Sequence, residues 1–159
     1  MRDHWDDFME YLKENKNFID PIIFTTAAKP YTKQLLKYVD PNREVFKTVL
    51  YQNSCYIFEI KEENILELIK DISRFRNRDI ARSVLMDPRP INFMMTPENC
   101  IPVVPYSPEY TTKLTEKDPY LLTMIDELEE LKDLEDVRPV LQQKFNVRQI
   151  LKNSKLIWK

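Results

Sequence analysis

The 159-residue chain is predicted to be one α/β domain, with a mainly parallel sheet and helices on both faces. Two observations predict this class. Short runs rich in Ile, Val and Phe alternate along the chain with longer segments whose apolar residues recur at helical spacing. The length suits a single domain with a substantial core and is too short for two ordinary domains.

Composition excludes several function classes. The chain contains 0 Gly and 11 Pro, so it has no P-loop or dinucleotide fingerprint, both of which need glycine close to phosphate. Left-handed backbone positions should therefore fall to Asn or Asp. A net charge of -2 with mixed signs argues against a nucleic-acid surface. No run approaches the roughly 18 apolar residues of a membrane span, so the chain is not expected to span a membrane.

The first half of the chain shows two helices and three strands. Trp5, Phe8 and Leu12 share one face of a predicted helix over residues 4–14. "PIIFTT" predicts a short buried strand, and "KPYTKQLLKYVDPN" a second helix that ends at Asp-Pro. "VFKTVLY" and "CYIFEI" are apolar runs separated by residues 52–54, which predicts a β-hairpin. Cys55 and the later Cys100 lack metal-like spacing and are expected to be buried thiols.

In the second half, "EENILELIKDI" is predicted to be helical, and "ARSVLMD" and "CIPVVPY" to be strands. "YLLTMIDELEELKDL" predicts a long amphipathic helix with Asp118 as its cap. "DVRPVLQQKF" and "VRQILKN" add short helices. Residues 1–152 are thus expected to form the domain, and residues 153–159 a basic tail that carries Trp. The tail exposes an apolar group that is a candidate interface anchor, made of Leu156, Ile157 and Trp158.

The order of these motifs resembles one family. "IIFTTAAKPYTKQLLKYVDPN", "IKDISRFRNRDIARSVLMDPRP", "TPENCIPVVPY" and "LEDVRPVLQQKF" are similar to the NLI-interacting-factor-like branch of the haloacid-dehalogenase superfamily. That branch includes phosphatases of the RNA polymerase II tail and the phosphatase-like receptor of the mitochondrial presequence translocase. The likeness covers roughly residues 4–150 in consistent order, so it implies a haloacid-dehalogenase-like (Rossmann-like) parallel sheet with a β-hairpin insertion and C-terminal helices.

The resemblance also implies a phosphatase site, of which only part is present. Thr25 matches the residue that holds phosphoryl oxygens, Lys70 the neutralising lysine and Asp87 the first Mg²⁺ ligand. Pro88 stands where the family has a second ligand, Asp or Asn, and proline supplies no side-chain oxygen. The nucleophilic D-x-D-x-[TV] motif does not occur in the 159 residues. The resemblance therefore implies a domain truncated before that motif.

In the superfamily, the strand with D-x-D lies at the centre of the sheet, between the strands that end at Thr25 and Asp87. Its absence predicts a partial sheet with two apolar edges facing a gap. The gap could be closed by direct pairing of those two strands, or by a strand that a partner polypeptide inserts. A five-stranded sheet built wholly from this chain would exclude both.

Each family position also has a purely structural interpretation, which we favour. Asp87 alone would hold Mg²⁺ poorly and could be a loop carboxylate. Thr25 after a strand often caps the next helix. Lys70 is expected to pair with Asp71 or Glu67 on a solvated face. We therefore expect no catalytic residue, no metal ligand and no cofactor.

The sequence thus predicts a catalytically inactive phosphatase-like domain, a pseudophosphatase, that serves as a structural or docking subunit. The expected partners are other protein subunits of a mitochondrial membrane complex, in which the chain would serve, for example, as an accessory subunit of the respiratory chain. The alternative location is the nucleus or the cytoplasm. A second hypothesis is a Ser/Thr phosphatase that uses Mg²⁺ and is completed by a partner carrying D-x-D. A third is a phosphopeptide-binding module that uses Thr25 and Lys70.

Overall fold

The computed structural model describes residues 1–60, 64–107 and 117–154. The helices found in these ranges are α1 (Trp5–Glu14), α2 (Lys29–Val39), α3 (Tyr120–Leu131), α4 (Arg138–Phe145) and α5 (Val147–Asn153). The strands are β1 (Ile22–Phe24), β2 (Thr48–Leu50), β3 (Tyr56–Ile60), β4 (Ile65–Ile69), β5 (Leu85–Asp87) and β6 (Cys100–Pro102). Among the described residues, no helix is both long enough and apolar enough to cross a membrane. The candidate interface residues Leu156, Ile157 and Trp158 lie outside the described ranges.

The strands form three separate pairs in the described part of the chain. β1 and β2 are parallel, with Ile23 opposite Val49, and β5 and β6 are parallel, with Met86 opposite Ile101. β3 and β4 form an antiparallel hairpin. The α/β class with parallel strand pairs is therefore confirmed.

Two predictions about the middle of the chain are wrong. The segment predicted as the helix "EENILELIKDI" instead contains the strand Ile65–Ile69, which pairs with β3. The hairpin therefore joins β3 to β4, whereas β2 pairs in parallel with β1. The apolar residues of "ILELI" fit both the 3.6-residue spacing of a helix and the two-residue spacing of a strand. Pairing with β3 favours the strand, in which Ile69 is completely buried.

Helices cover both faces of the β5–β6 pair. Leu85 and Cys100 point to one face, where they pack with Val147 and Leu151 of α5. Ile101 points to the opposite face, as expected from the alternation of side chains along a strand, and packs against α3 and α4. A third apolar cluster joins α1 to α3 beside this core. Both cysteines are buried and free, as predicted.

The chain makes its left-handed turns without glycine. Asn64 precedes β4 and Asn146 joins α4 to α5, both with positive φ, as predicted for asparagine. The prediction is wrong for His4 and Arg43, which also have positive φ. Arg43 is held there by a buried neighbour: the Asp40 carboxylate accepts hydrogen bonds from the backbone N–H groups of Glu44, Val45 and Phe46.

Candidate functional site

Each of the three predicted site residues lies at the carboxyl end of a strand: Thr25 follows β1, Asp87 ends β5 and Lys70 follows β4. The structure brings Lys70 and Asp87 into contact. Cys55 lies beside Thr25, with its thiol 3.8 Å from the Thr25 carbonyl oxygen. We call the group of Thr25, Cys55, Lys70, Asp87 and Asn92 the Lys70 corner.

Asp87 is buried, and its carboxylate accepts hydrogen bonds from Lys70 and Asn92 of this corner and from the backbone of Arg89. Its Oδ2 lies 2.5 Å from Lys70 Nζ. Its Oδ1 accepts hydrogen bonds from the backbone N–H of Arg89, at 2.7 Å, and from Asn92 Nδ2, at 2.9 Å. The Asp87 side chain is 3% exposed and that of Lys70 is 15% exposed, so solvent screens this ion pair little.

The expected partners of Lys70 were wrong. Asp71 instead accepts hydrogen bonds from Ser73, and Glu67 pairs with Arg89. The prediction failed because it treated residues 62–72 as a helix, in which neighbours in sequence would meet. At the end of strand β4, Lys70 instead reaches across to the end of β5.

Asn92 completes the corner and was missed from the sequence. Its side chain is 1% exposed, donates to Asp87 and accepts from the backbone N–H of Lys70 through Oδ1, at 3.2 Å. It lies in the short 3₁₀ turn Pro90–Phe93 after the Asp-Pro-Arg-Pro sequence. Only its position in that loop, a few residues beyond Asp87, could have indicated the role.

The oxygen atoms of the corner are engaged in protein contacts rather than directed at an open coordination site. Asp87 uses one oxygen for the lysine ammonium and the other for two N–H donors. Pro88 is exposed and contributes no oxygen ligand from its side chain. Across residues 1–60, 64–107 and 117–154, no three His, Cys, Asp or Glu side chains are grouped so that they could hold a metal ion.

Thr25 stabilises a turn ahead of α2. Its backbone N–H donates to the Leu50 carbonyl oxygen at 2.9 Å, which extends the β1–β2 ladder, and its Oγ1 accepts from the Ala27 N–H at 3.1 Å. The expectation that it caps the helix is therefore wrong in detail, because the N-cap position of α2 is Ala28. The hydroxyl supports the turn one step before the helix begins.

Both thiols are held in the protonated form by their surroundings. Burial raises the pKa of Cys100 to about 12, and its Sγ lies 3.0 Å from the Thr96 carbonyl oxygen. Burial also raises the pKa of Cys55, and the charge of Lys70 only partly opposes this. Neither cysteine therefore has the depressed pKa of a reactive nucleophile.

A cavity of about 680 Å³ separates β1 from β5, and we call it the sheet cavity. On its two sides lie residues at and beside the inner strands: Ile22 and Phe24 from β1, and Val84, Leu85 and Met86 from β5. Side chains of α1 and α3 complete the apolar wall, among them Phe8, Leu12, Met124 and Leu128. In the described part of the chain, β1 and β5 do not pair directly, which was one of the two predicted ways to close the sheet.

Comparison with known proteins agrees with the motif order. The family model described as NLI interacting factor-like phosphatase matches residues 1–138. The chain is 31% identical over 147 residues to "CTD small phosphatase-like protein 2" of Dictyostelium discoideum, covering 92% of this chain and 24% of that protein. It is 26% identical to "Mitochondrial import inner membrane translocase subunit TIM50" of Candida glabrata, covering 91% of this chain and 27% of that protein.

A solved structure of the RNA polymerase II CTD phosphatase Fcp1 shares the fold. It superposes with a TM-score of 0.53 at 20% identity, covering 98% of this chain and 38% of that one. The chain therefore spans between about a quarter and two fifths of the length of these relatives.

Proposed function

We propose that this chain, which belongs to the NLI interacting factor-like phosphatase family, is a catalytically inactive member that serves as a docking subunit of a larger protein complex. The observation that carries the proposal is that both carboxylate oxygens of Asp87 accept hydrogen bonds from protein groups. Its two oxygens are occupied by Lys70, Asn92 and a backbone N–H, so the family's metal-binding position is used for structure.

The chemistry of the corner supports the absence of phosphatase activity. Mg²⁺ prefers near-octahedral oxygen coordination, usually with one or two carboxylates. The corner offers one carboxylate, already paired with an ammonium group, and Pro88 in place of a second ligand. This donor set does not fit Mg²⁺.

Exposed apolar residues support a docking role. On the β3–β4 hairpin, Ile57 is 62% exposed and Leu66 is 68% exposed. Their pairing partners, Leu68 and Glu59, place both on the same face of the hairpin. A two-stranded hairpin with apolar residues in water is marginally stable by itself, so covering it with a partner surface would be favourable.

The relatives support a location without deciding it. Similarity to subunits of the mitochondrial import translocase supports a mitochondrial complex, which we propose. Similarity to CTD phosphatases supports the nucleus or cytoplasm as the alternative. A respiratory-chain role stays a prediction.

A phosphatase assay tests the inactive assignment directly. We expect the purified chain with Mg²⁺ and p-nitrophenyl phosphate to release no more product than Asp87→Asn or buffer alone. An exposed remote carboxylate provides the matched control, Asp133→Asn. Hydrolysis that Asp87→Asn abolishes and Asp133→Asn preserves would contradict the proposal.

Native gels of mitochondria that express the tagged chain test the docking role. We expect the chain to migrate in an assembly much larger than its own 19.2 kDa. The double substitution Ile57→Ser with Leu66→Ser should release it, because both side chains would be buried at the interface. Leu122→Ser, at an exposed site on α3, is the control. Migration of the unaltered chain as a monomer would contradict a docking role.

A phosphatase completed by a partner is the second candidate, and the presence of Lys70 and Asp87 at the family's positions favours it. This candidate predicts hydrolysis by the natural complex and none by the chain alone. The phosphopeptide module is less well supported, because the Lys70 ammonium is already paired with Asp87 and Thr25 Oγ1 already accepts a backbone hydrogen bond.

A further inference from the structure

The backbone of β1 has one paired side and one open side. Successive residues of a strand direct their N–H and C=O groups to opposite sides. Thr25 N–H points to β2, where it meets the Leu50 carbonyl oxygen. The backbone groups of Phe24 and Ile22 therefore point away from β2, and both residues line the sheet cavity.

The same alternation holds in β5. The Asp87 carbonyl oxygen accepts from the Val103 N–H at 3.1 Å, so Asp87 and Leu85 direct their backbone groups towards β6. Met86 and Val84 therefore direct theirs to the other side, and both line the cavity. No residue of β2 or β6 lines it, so the cavity contacts only the inner edges of the two pairs.

These inner edges hold backbone groups without partners. Among the described residues, no recorded hydrogen bond outside the strand ladders involves the backbone of Ile22, Phe24, Val84 or Met86. All four residues are half-buried against an apolar wall. A backbone N–H or C=O group that loses contact with water needs a protein partner, because leaving it buried and unpaired costs on the order of 1–3 kcal/mol.

The two open edges run in the same direction. At their amino ends, Asp20 before β1 pairs with Arg78, which precedes β5. Their carboxyl ends are marked by Thr25, which contacts Cys55, and by Asp87, which contacts Lys70. One strand inserted between them could therefore run parallel to both, as β2 and β6 already run parallel to their partners. Neighbouring strands lie about 4.8 Å apart, so each edge would pair with one side of the insert.

We propose that the sheet cavity accepts one extended apolar segment of a partner polypeptide, which joins β1 and β5 into a continuous sheet. This rests on the docking role proposed above and adds a second contact site to the exposed face of the hairpin. The apolar walls select β-branched or other apolar side chains.

Charge at the amino end of the cavity adds a second element of recognition. Arg82 lines this end, is exposed and donates from Nη2 to the Lys132 carbonyl oxygen at 2.8 Å. It pairs with no carboxylate among the residues the structure describes. The partner segment should therefore carry Asp or Glu just ahead of its apolar run.

A synthetic peptide provides the probe. It carries an aspartate ahead of the run Val-Ile-Val-Leu-Val and lysines at its end for solubility, and its binding to the full 159-residue chain is measured by fluorescence anisotropy. Methylating alternate backbone nitrogens should weaken binding by at least about ten-fold, because each lost hydrogen bond is worth ~0.5–1.5 kcal/mol. Replacing the aspartate by asparagine should weaken binding up to about five-fold, and Arg82→Gln should remove that difference.

A proline substitution tests whether the open edge of β5 pairs with the peptide. Val84→Pro removes an N–H that points into the cavity, and it spares the ladder to β6. The preceding residue, Ser83, has φ -99 and ψ 138, which proline tolerates. We expect Val84→Pro to weaken peptide binding at least about ten-fold, and Val84→Ala, the control that keeps the N–H, by about two-fold. The methylated peptide keeps the test decisive should Val84→Pro not fold.

Amide hydrogen exchange measured by NMR locates the bound strand. Peptide should slow exchange at Ile22, Phe24, Val84 and Met86, whereas Thr25, already paired with Leu50, should change little. Two results would overturn the proposal: equal affinity for the methylated and unmethylated peptides, or these four amides already protected in the free chain. Protection that depends on concentration would assign the site to a second copy, and protection lost on deleting residues 155–159 would assign it to that tail.

The proposed inactive docking subunit and the proposed strand-binding site can be disproved independently of each other. Phosphate release by the chain alone would end the inactive assignment and leave the strand site standing. Absence of peptide binding, together with absence of hydrolysis and a large native assembly, would leave the docking role standing and remove this site from it.

Discussion

The Lys70 corner and the sheet cavity lie at neighbouring parts of the same strands, and they differ in how fully their polar groups are used. In the corner, each recorded donor to Asp87 is a protein group held at hydrogen-bonding distance. In the cavity, the backbone groups of two strand edges point into an apolar space. The carboxylate at the end of β5 is thus paired within the chain, whereas the inner edges of β1 and β5 have no pairing strand among the described residues.

This difference predicts different roles for the two regions. Removing one member of a buried ion pair leaves an uncompensated charge and is strongly destabilising, and a ligand of Asp87 would first have to displace Lys70. A strand edge with unpaired backbone groups is a template for pairing with another chain. The corner should therefore govern the stability of the isolated chain, and the cavity should govern what the chain binds.

The largest expected effect is that of breaking the buried ion pair. Lys70→Met leaves the Asp87 charge buried without its cation, so we expect the free energy of unfolding to fall by about 3–5 kcal/mol. Urea denaturation followed by circular dichroism measures this. The matched control is the exposed pair of Arg89 with Glu67, where Arg89→Met should cost less than about 1 kcal/mol.

A double substitution separates charge from packing at the corner. Lys70→Met combined with Asp87→Asn removes both charges and keeps the hydrogen bonds to Asn92 and Arg89 within reach, so it should recover part of the lost stability. If Lys70→Met and Arg89→Met cost the same, Lys70 is a solvated lysine and the corner is not closed.

The second-largest expected effect is the difference in unfolding free energy between truncating an isoleucine in the packed core and truncating one beside the cavity. Ile101 of β6 is 0% exposed and packs against α3 and α4, so Ile101→Ala should cost about 2–5 kcal/mol. Ile22 already borders empty space, so Ile22→Ala should cost about 1 kcal/mol or less in the free chain.

Saturating peptide should increase the cost of Ile22→Ala relative to the free chain and leave that of Ile101→Ala unchanged. Urea denaturation with and without the probe peptide measures both. A cost for Ile22→Ala as large as that for Ile101→Ala in the free chain would mean that the cavity is filled from within.

The sequence was sufficient for the elements whose local pattern and tertiary environment agree. The α1 segment shows helical spacing and packs its apolar face against α3, so its prediction was correct. The segment "ILELI" fits both helical and strand periods, and only pairing with β3 decides between them. The error there misplaced the partner of Lys70 as well, because a side chain's neighbours follow from the element that carries it.

The residues of the candidate site likewise differ in whether the sequence alone could identify them. Thr25, Lys70 and Asp87 could be identified because motif order fixes their places along the chain. Asn92 could not, because a lone asparagine in a loop gives no signal until the loop folds back over Asp87. The open edges of β1 and β5 depend on which strands pair, which is a property of the tertiary fold.

The smallest effect concerns Thr25, which lies where the cavity meets the corner. Thr25→Val keeps the shape of the side chain and removes the oxygen that accepts the Ala27 N–H, so it should cost about 1 kcal/mol in urea denaturation. Thr25→Ser keeps that oxygen and should cost less, and Thr26→Val is the control at the neighbouring position. Because the hydroxyl supports a turn, inorganic phosphate at millimolar concentration should stabilise the unaltered chain and Thr25→Val to the same small extent. A stabilisation by phosphate that Thr25→Val alone abolishes would show that the corner still binds phosphate, and the contrast between a closed corner and an open cavity would no longer hold.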